Sequence, residues 1–242
     1  TSSQACETGR KLSTIISKMF PDPCKIKLES VYCPFLLQHN KHYAGAEGGG
    51  KLTIKGMEAV SRGTLPVLRR LYNEILRDVL LYKQQNLGNS KDKKAAIQRA
   101  IDRVVKTGKH ILKGKCEMSE LTLTRALWLD DTDKSYDSAK GSGQYAVSQP
   151  HVLVAQKKRQ RGLKVRKGER IEFVLVHNAK GGKKQWQMAE DPDYVRKNSI
   201  PLNLRHYVDN LLLGPLYRLF ELPHILGNPI QKNGTNHVQN AT

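Results

Sequence analysis

The spacing of apolar residues changes near residue 57, and that change most constrains what this chain can fold into. Before it, Ile26, Leu28 and Val31, then Phe35 and Leu37, alternate in part, and Leu52 and Ile54 follow a glycine-rich turn at 48–50, which reads as short strands. One helical pattern precedes them: Leu12, Ile15, Ile16 and Met19 recur at helical spacing until Pro21 and Pro23 stop the helix. After it, Leu65, Leu68, Leu71, Tyr72, Ile75, Leu76 and Val79 form one broad helical stripe, and a second helix carries Ile97, Ile101, Val104, Val105, Ile111 and Leu112. The expected fold is α+β, a short antiparallel sheet within 1–57 followed by a mainly α-helical region, 58–242.

Within the second region, the polar stretch 84–94 reads as an exposed linker and 130–143, rich in Asp, Ser, Lys and Gly, as a loop. A helix is expected around 150–160, a strand over 171–177, a turn at Gly181-Gly182 and a helix over 204–220 kinked at Pro215. No internal repeat is visible. At 242 residues the chain can bury a sizeable core.

Lys and Arg outnumber Asp and Glu by 41 to 22, a formal charge of +19, which points to a polyanionic partner through counterion release. The positive charge is clustered. One group runs through Lys91, Lys93, Lys94, Arg99, Arg103, Lys106, Lys109, Lys113 and Lys115; a denser one holds Lys157, Lys158, Arg159, Arg161, Lys164, Arg166, Lys167 and Arg170. The denser group follows the helix that starts near His151, and such a helix can lay several cations along a phosphate backbone.

Other patterns exclude chemistry. Cys6, Cys24, Cys33 and Cys116 form no C-x-x-C pair or zinc spacing and are read as reduced and structural. No signal peptide is recognisable at Thr1, and no apolar stretch approaches the roughly 20 residues that cross a bilayer, so an intracellular, soluble chain is expected. The sequons at Asn233 and Asn240 carry little meaning without a secretory signal, and the initial Thr hints at a fragment or processed product. Gly45-Ala-Glu-Gly-Gly-Gly-Lys51 approaches a phosphate loop, but Leu52 replaces the magnesium-binding hydroxyl and a strand follows, so it is read as a hairpin turn. Asp130, Asp131 and Asp133 form a D-T-D core in polar loop sequence rather than in a hairpin and are read as solvated. The histidines show no ligand spacing and no catalytic triad can be assembled.

Seven elements in order resemble landmarks of family B DNA polymerases of the delta and herpesvirus-like type. The run 25–45 ends in Asn40-Lys41-His42-Tyr43-Ala44-Gly45, similar to K-K-R-Y-A-G, and Lys55-Gly56-Met57-Glu58 with Val60 and Arg62 is similar to K-G-x-E-x-V-R-R. Leu123-Thr124-Arg125 resembles I-T-K, the stretch from His151-Val152 to Arg161 resembles the helix beginning H-V, and 168–174 resembles G-D-R-x-x-Y-V. Glu190-Asp191-Pro192-Asp193-Tyr194-Val195 resembles E-D-P-x-Y-V, leading to Pro215, Leu216, Arg218 and Phe220 of a closing P-L-x-R-x-F.

That resemblance implies the C-terminal part of such an enzyme, the end of the palm at 1–57 and the thumb at 58–242. Lys41 and Tyr43, with His42, would align the primer end, and Lys55, Arg62, Thr124, Arg125, His151, Lys157, Lys158, Arg159 and Arg161 would hold the duplex. Its Mg2+ would be bound by aspartates outside this chain, which by itself would be inactive. Primer-template DNA, deoxynucleoside triphosphates through the missing palm and fingers, and a processivity factor are the implied partners, at the nucleus or a viral replication site. The tail lacks the cysteine pairs of delta-type enzymes, which favours a viral branch. The rival readings are a non-enzymatic basic module binding DNA or RNA, or the small subunit of a split polymerase; a membrane-surface protein is disfavoured because no basic amphipathic helix carries aromatic anchors.

Overall fold

The computed structural model describes residues 2–48, 50–81, 90–128, 148–177 and 184–220, with the side chains of residues 2 and 90–93 excepted. Helix α1 (Ser2–Ser17) leads to a three-stranded antiparallel sheet, β1 (Phe35–His39), β2 (His42–Ala46) and β3 (Leu52–Lys55), in the order β1-β2-β3. The long helices α2 (Pro66–Leu80) and α3 (Ser90–Leu112) follow, then the short α4 (Met118–Leu121) and strand β4 (Leu123–Ala126). After α5 (Pro150–Gln160) come β5 (Arg170–Leu175), α6 (Gln185–Met188), β6 (Ala189–Glu190) and α7 (Pro192–Lys197). The described chain closes with α8 (Leu204–His206), a π-helical turn (Tyr207–Leu212) and α9 (Leu213–Phe220).

The expected helices over 66–80 and 150–160 form, each opened by a proline in its first turn, where the missing N–H costs nothing. The kink expected at Pro215 takes the form of the π turn one turn ahead of it. Proline cannot donate to the carbonyl four residues back, and the ladder widens there, with Leu213 N–H bonding to Val208 rather than to Asp209. Buried Tyr207 uses its hydroxyl to accept the Leu175 N–H at 2.7 Å, fastening this helix to the end of β5.

Three expectations change. Residues 25–34 form no strand, so Ile26, Leu28 and Val31 mark a connector. In β1 the buried residue is Leu36, while Phe35 and Leu37 are exposed, because Leu36 pairs with fully buried Ala44, which in turn pairs with Ile54 on the core face. Helix α1 forms, but Leu12, Ile15, Ile16 and Met19 stay exposed.

The second region is less purely helical than expected, since β4, β5 and β6 make another antiparallel sheet, with Thr124 opposite Glu172 and Leu175 opposite Ala189. At four and two residues, β4 and β6 are too short to show alternation. Residue 57 marks a change of element type but no break in the core. Met57 is fully buried in one apolar cluster that includes Leu36 and Ala44 from the first sheet and Leu68, Tyr72 and Ile75 from α2. The glycine run does turn a hairpin between β2 and β3. The segment with Asp130, Asp131 and Asp133, the Gly181-Gly182 turn, most of the 84–94 linker and the tail lie outside the described residues.

Candidate nucleic-acid interface

The residues singled out from sequence fall into three groups. The first is the β1–β2 hairpin. Asn40-Lys41 is its two-residue turn, Lys41 having φ 64°, and the His39 and His42 rings lie 3.9 Å apart across it. Gly56 lies against this turn: it has φ 71°, and a Cβ there would come within 2.1 Å of the Lys41 carbonyl oxygen, so only glycine lets the two segments pass. The K-Y-A-G and K-G-x-E elements are thus packed together. On the outer face Tyr43 meets Phe35 and Tyr32 at ring separations of 5.6 and 6.1 Å, and Gly45 leaves room for the Tyr32 ring, 2.6 Å from where its Cβ would be. Lys55, opposite Tyr43 in the register, reaches 6.0 Å from its ring and 3.5 Å from Glu29.

The second group surrounds an open cleft of about 430 Å³ lined by Arg62, Gly63, Thr124, Arg125, Ala126, Trp128, Gln149, His151, Val152 and Arg170. Its arginines come from the loop before α2, from β4 and from the start of β5, and Arg170 is steered there by donating to the Thr124 carbonyl at 3.2 Å. Among the described residues the lining contains no carboxylate, and no ion pair joins Arg62 or Arg125 to another described residue. His151 contributes no charge at neutral pH: burial, aided by the Arg125 cation, pushes its pKa down to about 4. Its Nδ1 is enclosed without a hydrogen-bond partner among the described residues. His151, expected as a backbone contact, lines the cleft as a neutral ring. Trp128, Gln149 and Arg170 were not among the candidates, although Arg170 belonged to the basic cluster.

The third group is the basic end of α5, whose cations have partners within the molecule. Lys157 Nζ bonds Glu190 Oε2 at 3.0 Å and the Ala189 carbonyl at 2.8 Å; Arg161 donates to Glu190 Oε1 at 2.9 Å and its guanidinium lies 3.4 Å from the centre of the Tyr194 ring. Lys158 pairs with Asp191 at 2.8 Å, and Arg159 donates to the Val165 carbonyl at 3.0 Å. These four cations were expected to face a phosphate backbone. Within the molecule Lys157, Lys158 and Arg161 are engaged by the E-D-P-x-Y segment, which β6 and α7 bring against α5, and Arg159 by the Val165 carbonyl. Burial disfavours the charged form of Glu190, but hydrogen bonds from Arg161, the Asp191 amide and Lys157 outweigh it and hold its pKa below the ordinary carboxylate value. Similarly Arg218 reaches back to Glu58 at 2.9 Å, so the closing P-L-x-R-x-F and the K-G-x-E elements are ion-paired.

Among the described residues no group of three or more His, Cys, Asp or Glu side chains could hold a metal ion. The implied Mg2+ has no fitting ligand set there, and Glu190 and Asp191 are already engaged by cations.

The fold is shared with the family B DNA polymerase from the hyperthermophilic archaeon Pyrobaculum calidifontis, at a TM-score of 0.59 and 19% identity over 90% of this chain and 24% of that one. The sequence model of DNA polymerase family B matches residues 1–222, so this chain belongs to the family B DNA polymerases. It is 33% identical to the DNA polymerase delta catalytic subunit of Caenorhabditis elegans over 96% of this chain and 20% of that protein. With the delta catalytic subunit of Schizosaccharomyces pombe the identity is 31%, over 90% of this chain and 18% of that protein. The chain thus spans about a fifth of the length of the curated relatives it matches. Those shares do not establish the C-terminal placement expected from the motifs, and these eukaryotic relatives lend no support to a viral branch. No helix among the described residues is long and apolar enough to cross a membrane.

Proposed function

We propose that this chain forms the palm end, 1–57, and the thumb, 58–242, of a DNA-directed DNA polymerase and grips the primer-template duplex. The observation that carries this reading is the cleft, where Arg62, Arg125 and Arg170 meet from three separated parts of the sequence with no carboxylate among the described lining residues. Guanidinium groups so exposed hold phosphate oxygens without reading base sequence, as an enzyme that copies any template requires. The hairpin carrying Lys41 and Tyr43, stiffened by its contact with Gly56, supplies a second contact at the primer end. Template-directed synthesis from deoxynucleoside triphosphates, its Mg2+ and any processivity factor belong to the whole polymerase, acting in replication. The delta catalytic subunits among its relatives support that assignment.

The test is duplex DNA binding measured across salt concentration. Arg125→Ala is expected to weaken binding equally for unrelated sequences and to flatten the log–log salt slope by about one. An unchanged slope would remove the cleft from the interface. Tighter binding of duplex RNA than duplex DNA would favour the non-enzymatic RNA module.

A further inference from the structure

The cleft contains one feature that duplex gripping does not use. Trp128 lies on its rim and is 71% exposed, whereas the neighbouring Leu127 is fully buried. Its backbone stem is rigid: Leu127 N–H bonds the Glu169 carbonyl at 2.8 Å, and Gly168 N–H bonds the Leu127 carbonyl at 2.8 Å. An indole held out on an anchored stem beside three arginines combines a flat stacking surface with phosphate-binding groups, the pairing by which proteins hold single strands. A base inside a duplex has both faces covered by its neighbours and cannot stack on such an indole. The volume of about 430 Å³ also lies toward the low end of the roughly 300–1,000 Å³ of small-ligand sites, room for one nucleotide.

We propose that this cleft captures one unpaired nucleotide of a DNA strand, its base stacked on the Trp128 indole and its phosphate held by Arg62, Arg125 and Arg170. This inference rests on the nucleic-acid reading of the cleft and adds to it a stacking contact that a frayed or single-stranded segment can make and a closed duplex cannot. Neutral His151 fits such a site, because the floor under the base then carries no competing charge.

The chain has two tryptophans, so a Trp186→Phe variant leaves Trp128 as the only indole reporter. Adding oligothymidylate is expected to quench its fluorescence, while a blunt hairpin duplex with the same number of phosphates leaves it nearly unchanged. Trp128→Ala is expected to weaken oligothymidylate binding about 5- to 100-fold, the range for losing one stacked base, with less than about a twofold change for the blunt duplex. Trp128→Phe should restore most of the loss. Absence of quenching, or an equal loss on both ligands, would overturn the proposal. Failure of the underlying reading is seen separately, as an unchanged duplex salt slope in Arg125→Ala.

Discussion

The cleft and the end of α5 are both rich in cations, yet they differ in what surrounds each charge. At the end of α5, Lys157 and Arg161 converge on Glu190 and Lys158 on Asp191, and both carboxylates are buried. At the cleft, Arg62 and Arg125 face solvent with no described carboxylate paired to them. A paired, partly buried cation is part of the architecture, because its release would leave an uncompensated carboxylate in a low-dielectric setting. An exposed, unpaired guanidinium costs little to the fold and remains available to phosphate. Positive charge in a sequence therefore marks a binding surface only after its intramolecular partners have been subtracted.

The largest expected effect tests the paired side. Glu190→Ala should destabilise the chain by about 2–3 kcal/mol in urea unfolding, the lower end for breaking a buried pair because its partners keep some solvent. A change within about 0.5 kcal/mol, the range of ordinary surface substitutions, would dissolve the distinction. The pH dependence of the same pair has a definite sign. The folded pKa of Glu190 is depressed, so its contribution is complete above the ordinary carboxylate value and is lost as pH falls through the folded pKa; Glu190→Gln should flatten that acid limb.

His151 gives the cleft its own acid sensitivity. Its folded pKa, about 4, lies below the ordinary histidine value of 6.5, so the unfolded chain takes up the proton first; stability is full above pH 6.5 and declines as pH falls toward 4. A His151→Gln variant should lose that part of the decline in a pH series of thermal melts. Lys157→Ala should lower stability by about 1 kcal/mol, the worth of a hydrogen-bonded partner, while leaving the salt slope of duplex binding unchanged. Arg125→Ala should show the reverse, a slope flatter by about one and stability within about 0.5 kcal/mol of the parent. If Lys157→Ala flattened the slope as Arg125→Ala does, the ion pairs at α5 would have to open on DNA.

Much of the fold was legible because the signals were local. The stripe from Leu65 to Val79 became the buried face of α2, and the prolines at 66 and 150 open their helices. The face of β1 was misread because Phe35 and Leu37 are the more conspicuous apolar residues, whereas burial was decided by the pairing of Leu36 with Ala44. The strands β4 and β6 were missed because their residues are held by partners on β5, 48 and 16 positions away at Thr124–Glu172 and Val174–Glu190 respectively. In the candidate site, Arg62, Thr124, Arg125 and His151 were found from their motifs and do share a cleft, while Trp128 lay in no motif and emerged only from its position on the rim.

By itself the sequence determined the helical and extended segments, the excess positive charge and the ordered motifs of family B polymerases, because periodicity, composition and short motifs are properties of neighbours along the chain. Only the tertiary structure decided which cations are free. Electrostatic pairing acts over a few ångströms in space, and the carboxylates that neutralise Lys157 and Arg161 arrive from about thirty residues away, on a segment brought to them by β5, β6 and α7.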